Sequence, residues 1–420
     1  MSLAHTLNTG AFKGAQAGLV LVFFAFPMSV ALANVALLLT LLLWALSLGG
    51  AASRAALREA FRNPLVGPAL ALFAWIVIAV AWSPADREGV TGFVQKYLKF
   101  AMIPVFIALL QDARVRRRCW QAFAVALLFT LAVTWLNVWF DFSWTRTHNQ
   151  GFGQDHTVFK DYISQGLMMS VFAVGCAFLA LEQRDSRRAA ALWLLWALAS
   201  ASVLILSLGR TGYLAWAAST AVFGLTWALG RSRRTALVTL VVLGGLFAAA
   251  VSSPLLQQRG EVALEEASTA GQGAVTSIGA RVAMARFVLQ AVPHAPLLGH
   301  GTASYPVGAK QHFTAPGYCE VVCPHPHNQF LFFLYEQGAI GLLLFLAFIA
   351  VIVREAWRHE PRRRALALAF VATLCAACVS HSSFWLSTEN HCLILMSALV
   401  MAGLYARRTS IDLRAPEPGP

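Results

Sequence analysis

The sequence predicts an all-α polytopic membrane protein of about twelve transmembrane helices. Three observations carry that prediction. The first is charge. Of 420 residues, 58% are hydrophobic and only 12% charged, with a mean hydropathy of +0.64, whereas a soluble domain carries about 25% charged residues. Charged side chains at bilayer depth are costly, so a chain that lives in lipid sheds them. The second is a series of apolar runs, each near the ~20 residues that cross a bilayer as helix. The third is the one-sided placement of the basic residues between those runs.

The runs fall at 16–31, 34–49, 65–82, 93–110, 119–140, 163–181, 189–207, 211–229, 235–252, 328–353, 365–383 and 391–406. Helices must do the spanning, because an isolated strand leaves backbone groups unpaired in lipid. In the first run, Gly10, Gly14 and Gly18 are spaced for close helix contact. Lys13, the apolar run and Ala31-Leu32-Ala33 resemble a signal peptide with its cleavage site. A second apolar run follows at once, and cleavage would leave an odd number of spans. The two runs are therefore read as a retained helical hairpin.

Orientation follows from the Lys/Arg distribution. Lys13 and the Arg clusters at 54–62, 114–118, 184–188, 231–234, 354–364 and 407–414 all lie on one side and hold 22 of the 32 basic residues. Both termini are expected to be cytoplasmic, and the even number of spans agrees. The net charge of +13 is thus a topology signal. No domain-sized basic surface is present, which argues against nucleic acid as a partner.

Three parts are expected: helices one to nine in 1–252, a periplasmic loop in 253–327, and the last three helices with a cytoplasmic tail in 328–420. A connection as long as 253–327 is uncommon, and long loops carry function more often than short ones. Within it, 259–291 reads as helix, from the acidic start "GEVALEEAS" to the periodic "ARVAMARFVLQAV", ended by Pro293 and Pro296. Two further outward segments stand out: 141–162, with Asp141, Arg146, His148, His156, Lys160 and Asp161, and the short "SLGRT" at 207–211.

Chemistry-bearing residues concentrate on that outer side. Arg210 stands between two apolar runs with almost no loop, where a guanidinium must snorkel or find an anion. It is either an interfacial anchor or a phosphate ligand, since its planar fork of donors suits phosphate oxygens. Arg281 and Arg286 are five residues apart, so one is expected to face a site and the other solvent. Lys96 and Lys99 open the fourth span; Lys99 sits deeper and is a candidate for holding an anionic headgroup. His300, in the two-glycine turn "PLLGHG", reads as a bystander.

The stretch "CPHPHNQFLFFLYEQG", Cys323 to Gly338, places two imidazoles at a lipid boundary. An imidazole with an ordinary pKa of about 6.5 is the natural general base near neutral pH. His327 is the first candidate and His325 the second. Asn328 suits a helix cap, and Pro324 and Pro326 suit a helix start; capping accounts for Asn328 better than for two histidines. Cys319, Cys323, His325 and His327 also form C-x3-C-x-H-x-H, a compressed zinc pattern. A Cys319–Cys323 disulfide in an oxidising compartment competes with it. Cys119, Cys176, Cys375, Cys378 and Cys392 lie in or beside apolar runs and read as packing residues.

Together these pieces resemble the O-antigen ligase and polymerase family of bacterial envelope glycosyltransferases. The carriers are Arg210 in "SLGRTGYLAW"; Ser277, Arg281 and Met284, followed by "PLLGHG" at 296–301; and His327, Asn328, Leu331, Glu336, Gly338 and Gly341. One departure is Ala285, where the family often has Trp. The resemblance implies a GT-C-like bacterial inner-membrane enzyme with its active site on the periplasmic face. It would move a glycan from undecaprenyl diphosphate to a sugar hydroxyl of lipid A–core oligosaccharide, inverting the anomeric carbon and needing no metal or other cofactor. Arg210 and Arg281 would hold the diphosphate with Arg286 and Lys99 as helpers, His327 or His325 would be the base, and Glu336 would either orient a ring or a backbone group or serve as a core cap. An O-antigen polymerase and a protein O-oligosaccharyltransferase share these motifs. A lipid-linked glycan transporter is the reading from another class, but its expected mid-bilayer charge pairs and internal repeats are not evident.

Overall fold

A computed structural model describes residues 3–252, 261–262, 264–266, 268, 276–314 and 317–412. Among the described residues there is helix and no strand. Two helices form an N-terminal hairpin, α1 (Leu3–Ala25) and α2 (Val30–Ser47), followed by the short α3 (Ala51–Ala60). Then come α4 (Val66–Ile78), extended by a 3₁₀ turn to Trp82, α5 (Arg87–Leu109), α6 (Ala113–Leu136), α7 (Tyr162–Glu182), α8 (Ser186–Leu204), α9 (Arg210–Leu229) and α10 (Arg233–Val251). The long connection contributes α11 (Ser277–Ala291), α12 (Ser304–His312) and α13 (Tyr318–Val322). The chain closes with α14 (Gln329–Trp357), α15 (Pro361–Ser380) and α16 (Ser387–Asp412).

Each apolar run overlies one of these helices. Seven of them, α2, α5, α6, α7, α8, α14 and α15, are long and apolar enough to cross a membrane, and the segment Val66–Trp82 is a shorter apolar helix. Their outward faces carry large apolar side chains: Leu46 on α2 and Val241 on α10 are 68% and 65% exposed. Such a surface has no stable place in water and suits lipid. Helix starts are written in the sequence. Asp86, Asp112, Asp161 and Asp185 each accept a bond from a backbone N–H in the first turn of α5, α6, α7 and α8. In the hairpin, Gly18 faces Thr40 and Gly14 faces Leu43, whereas Gly10 has open space beside it.

The helical reading of 259–291 is corrected in one respect. Thr276 is extended and accepts from Gly279 N–H as an N-cap, so α11 begins at Ser277 rather than continuing from upstream. Residues 261, 262, 264–266 and 268 are also helical, and the rest of 259–275 lies outside the described residues. Pro293 sits in a 3₁₀ turn, Val292–His294, that follows α11 directly.

Connections sort to two ends of the bundle. At one end Arg362 pairs with Glu182 at 2.8 Å, and Pro361 packs against Gly230. At the other, His156 N–H bonds to Leu206 C=O at 3.0 Å and Asn328 Nδ2 donates to Val379 C=O at 3.0 Å.

That second end is organised by a break in α14. Gly338 has φ 64° and ψ −167°, a conformation that side chains other than hydrogen resist. The segment 296–301 lies along the break and takes up its unpaired groups. Ala339 N–H bonds to Pro296 C=O at 2.9 Å, His300 N–H to Tyr335 C=O at 2.9 Å, and Gly301 N–H to Glu336 C=O at 2.9 Å. From α4, Trp75 Nε1 donates to Gln337 C=O at 3.0 Å and Trp82 Nε1 to Gly299 C=O at 3.2 Å. Irregular backbone at this depth is stable only when protein satisfies it, and here almost every bond is supplied by backbone or indole.

Candidate active site

Arg210 is the first residue of α9. Gly209 before it packs on Tyr162, the first residue of α7, where a Cβ would fall 2.9 Å from the ring. One turn further, α7 and α9 meet at Gly166 and Gly212, where a Cβ on Gly166 would lie 2.9 Å from the Gly212 Cα. This contact fixes the start of α9, and with it Arg210, beside the start of α7.

Arg281 lies in the second turn of α11 and is half-buried. Burial lowers its proton affinity, and Arg210 lowers it further, so the two guanidinium groups lie within electrostatic reach of each other. Among the described residues neither forms an ion pair with a carboxylate. Arg286 is exposed on another face of the same helix.

The histidines occupy the stretch between α13 and α14. Cys319 and Cys323 are disulfide-bonded, with Cα atoms 4.8 Å apart, so their sulfurs do not join His325 and His327 in a four-residue zinc set. Asn328 caps α14, its Oδ1 accepting from Leu331 N–H at 3.0 Å. His327, just before the cap, has φ 49°, a left-handed conformation that costs a residue with a Cβ about 1–2 kcal/mol and often marks a functional position. The His325 and His327 rings are 4.2 Å apart, and His381, after α15, lies 4.9 Å from His327 and 5.2 Å from His325.

His381 is anchored in turn. Its Nδ1 is 3.2 Å from the buried carboxylate of Glu389, which also accepts from Ser164 Oγ at 3.2 Å. His325 rests 4.8 Å from the Trp385 ring, and the Lys96 ammonium sits 3.1 Å from the centroid of the same indole. A cavity of about 570 Å³ opens beside this pair, with Asp86, Glu88, Phe93 and Lys310 also on its walls.

Burial pushes His325 down to about 2, with His327, His381 and Lys96 adding to the effect. Burial likewise pushes His327 down to about 3, with His381 and then Arg281 adding to it. The Arg281 influence ties the guanidinium pair to the imidazoles. Both rings are neutral at physiological pH. The unfolded chain binds protons at these histidines from about pH 6.5 downward while the folded one does not, so their stabilising contribution is complete above 6.5 and is lost as pH falls toward the folded values. Thermal unfolding in detergent should therefore move to lower temperature between pH 7.5 and pH 5, by an amount on the order of 1 kcal/mol per histidine. The His325→Gln/His327→Gln double variant should flatten that dependence. An unchanged dependence in the variant would show that other groups cause it.

The remaining candidates have other partners. Lys99 lies within electrostatic reach of His391, as does Lys160. Glu336 is buried, and its carboxylate accepts from the backbone N–H groups of Tyr305, at 3.2 Å, and Ala303. It therefore holds the start of α12, which has no side-chain cap of its own. His300 Nε2 contacts Ala291 C=O at 3.1 Å, and its ring stacks 4.6 Å from Tyr335, a structural role. His381, Trp385 and Glu389 were not singled out by sequence reasoning. A signal existed in "HSSFWLSTENH", residues 381–391, where two histidines and a carboxylate interrupt two apolar runs.

Arg210, Arg281, the three-histidine cluster and the docked 296–301 segment thus share one end of the bundle. No curated protein matches the chain. Residues 193–346, the stretch that carries Arg210, Arg281, His327 and Glu336, match the family model described as O-antigen ligase.

Proposed function

We propose that the protein is an O-antigen ligase of the bacterial inner membrane, with both termini cytoplasmic, about twelve spans and its active site on the periplasmic face. It transfers a glycan from undecaprenyl diphosphate to a sugar hydroxyl of lipid A–core oligosaccharide. The observation that carries this reading is the pair Arg210 and Arg281: two neighbouring guanidinium groups without a carboxylate partner among the described residues, beside neutral imidazoles. Such a pair is stabilised by an anion, and a planar fork of donors fits diphosphate oxygens.

The chemistry follows. The acceptor oxygen attacks the anomeric carbon as the bond from that carbon to the phosphate oxygen breaks. The departing diphosphate takes the bonding electrons, and Arg210 and Arg281 meet the developing charge. The hydroxyl proton passes to His327. His327 rather than His325 is the base, because it is the imidazole that feels Arg281 and the less buried of the two. The arriving diphosphate offsets the Arg281 charge that adds to the effect of burial on His327 and raises its basicity, so donor binding prepares the base. The cavity beside Lys96 and Trp385 receives the acceptor, its aromatic and polar walls suiting a sugar. The Cys319–Cys323 bond fits an oxidising periplasm.

Purified protein, given an undecaprenyl-diphosphate glycan and three separate acceptors, should transfer to lipid A–core oligosaccharide. It should not transfer to a second carrier-linked glycan or to a pilin-like protein. Transfer to the carrier-linked glycan alone would make it an O-antigen polymerase, and transfer to the protein alone an O-oligosaccharyltransferase. Failure with all three would overturn the reading.

A further inference from the structure

We infer that His325, His327 and His381 form a binding site for one borderline divalent transition-metal ion, with Zn²⁺ as the probe, and that its occupancy blocks glycan transfer. The binding half rests on geometry; the blocking half rests on the ligase reading of His327 as the base.

One ligand atom from each of the three rings lies within 4.8 Å of the other two. An ion at the centre of such a triangle would be at most about 2.8 Å from each nitrogen, and a contraction of under about 1 Å per ring reaches the ~2.0–2.1 Å of a zinc–imidazole bond. The rings come from two chain segments held together independently of them, since Asn328 Nδ2 bonds to Val379 C=O at 3.0 Å.

Two further observations separate this cluster from ordinary aromatic packing. First, His327 Nδ1 is buried and has no hydrogen-bond partner, although a buried polar atom is normally satisfied. A metal ion would satisfy it. Second, His381 already has the support that metal-binding histidines have. Its Nδ1 faces the Glu389 carboxylate at 3.2 Å, and Glu389 is itself 1% exposed and braced by Ser164. A carboxylate on one ring nitrogen orients the other toward a metal and increases its donor strength. The same carboxylate offsets part of the repulsion between a dication and Arg281.

The donor set selects the ion. Three imidazoles suit Zn²⁺, Cu²⁺, Ni²⁺ or Co²⁺, whereas Mg²⁺ and Ca²⁺ prefer oxygen. Occupancy would engage the nitrogen lone pair of His327 that receives the acceptor's proton. Transfer would then lack its base, and a chelator would restore it.

The test uses the full chain in detergent, stripped with EDTA. Equilibrium dialysis against ZnCl₂ should give one Zn²⁺ per chain, and Co²⁺ should give the visible absorption of a four-coordinate site. His381→Ala should lose both signals. Glu389→Gln should weaken binding about 10- to 100-fold, as loss of an outer-shell partner does. His294→Ala, on the exposed turn after α11, should bind like the wild type, and MgCl₂ should not compete. If His381→Ala does not fold, His325→Gln with the same Co²⁺ readout replaces it. Wild-type stoichiometry in the His325→Gln/His327→Gln/His381→Gln triple variant, or no bound Zn²⁺ in the wild type, would overturn the site. One bound Zn²⁺ with unchanged transfer would overturn the blocking role. A protein that transfers no glycan at all would still report the metal through the Co²⁺ spectrum.

Discussion

Arg281→Ala is expected to lower glycan transfer about 100- to 1,000-fold, the usual cost of removing one fixed group that stabilises transition-state charge. The loss should appear mainly in kcat, because the charge that Arg281 meets grows as the phosphate leaves. Stability should not fall with it. Arg281 has no carboxylate partner to orphan among the described residues, and it sits beside another cation. Its removal relieves repulsion, so the melting temperature in detergent should hold or rise. Arg210→Ala should behave alike. Arg281→Lys restores charge but not the fork, and should recover only part of the rate. Cells carrying Arg281→Ala and showing wild-type lipopolysaccharide banding would remove the basis for an anion clamp.

The second large effect concerns backbone. A Cβ on Gly299 would fall 2.5 Å from the Glu336 carbonyl, and one on Gly338 would fall 2.5 Å from the Gly299 nitrogen. Both residues also have positive φ, 71° and 64°. Gly299→Val should therefore cost roughly 2–5 kcal/mol, from the left-handed backbone and overpacking together. The loss should centre on the docked segment: amide exchange at His300, Gly301 and Ala339 should speed up and transfer should cease. Gly175→Ala is the contrast. That glycine is in the interior of α7 with nothing within 4 Å of a built Cβ, so alanine should be neutral or stabilising by about 0.4–1 kcal/mol. Equal damage from both substitutions would mean that the close approach of 299 and 338 does not matter.

The helices were legible because lipid imposes one rule on every residue that meets it. Leu38, Leu42 and Leu46 on α2 are apolar all along one face, and that face is exposed. Asn328 announced a helix start through a side chain that caps a nearby N–H group. Arg210, Arg281 and His327 could be picked out because each interrupts or borders an apolar stretch, where polarity needs a reason. The Glu389–His381 contact was less legible, since His381 stands in a short connection and Glu389 in the first turn of α16, and they acquire meaning only when α7 and the 323–328 segment come alongside. Lys99 shows a different limit. Its depth was readable, but its neighbours depend on the rotation of α5 against α16, which sequence spacing leaves open. The docking of 296–301 onto Gly338 left two glycines as its only trace, because peptide groups make most of its bonds.

That last property separates what the segment stands on from what it displays. Its attachment uses atoms common to every amino acid, while Leu297 and Leu298 point away from it, 63% and 49% exposed. Replacing those two leucines would change the exposed face of the segment without loosening its foundation, so that face can be rewritten one residue at a time.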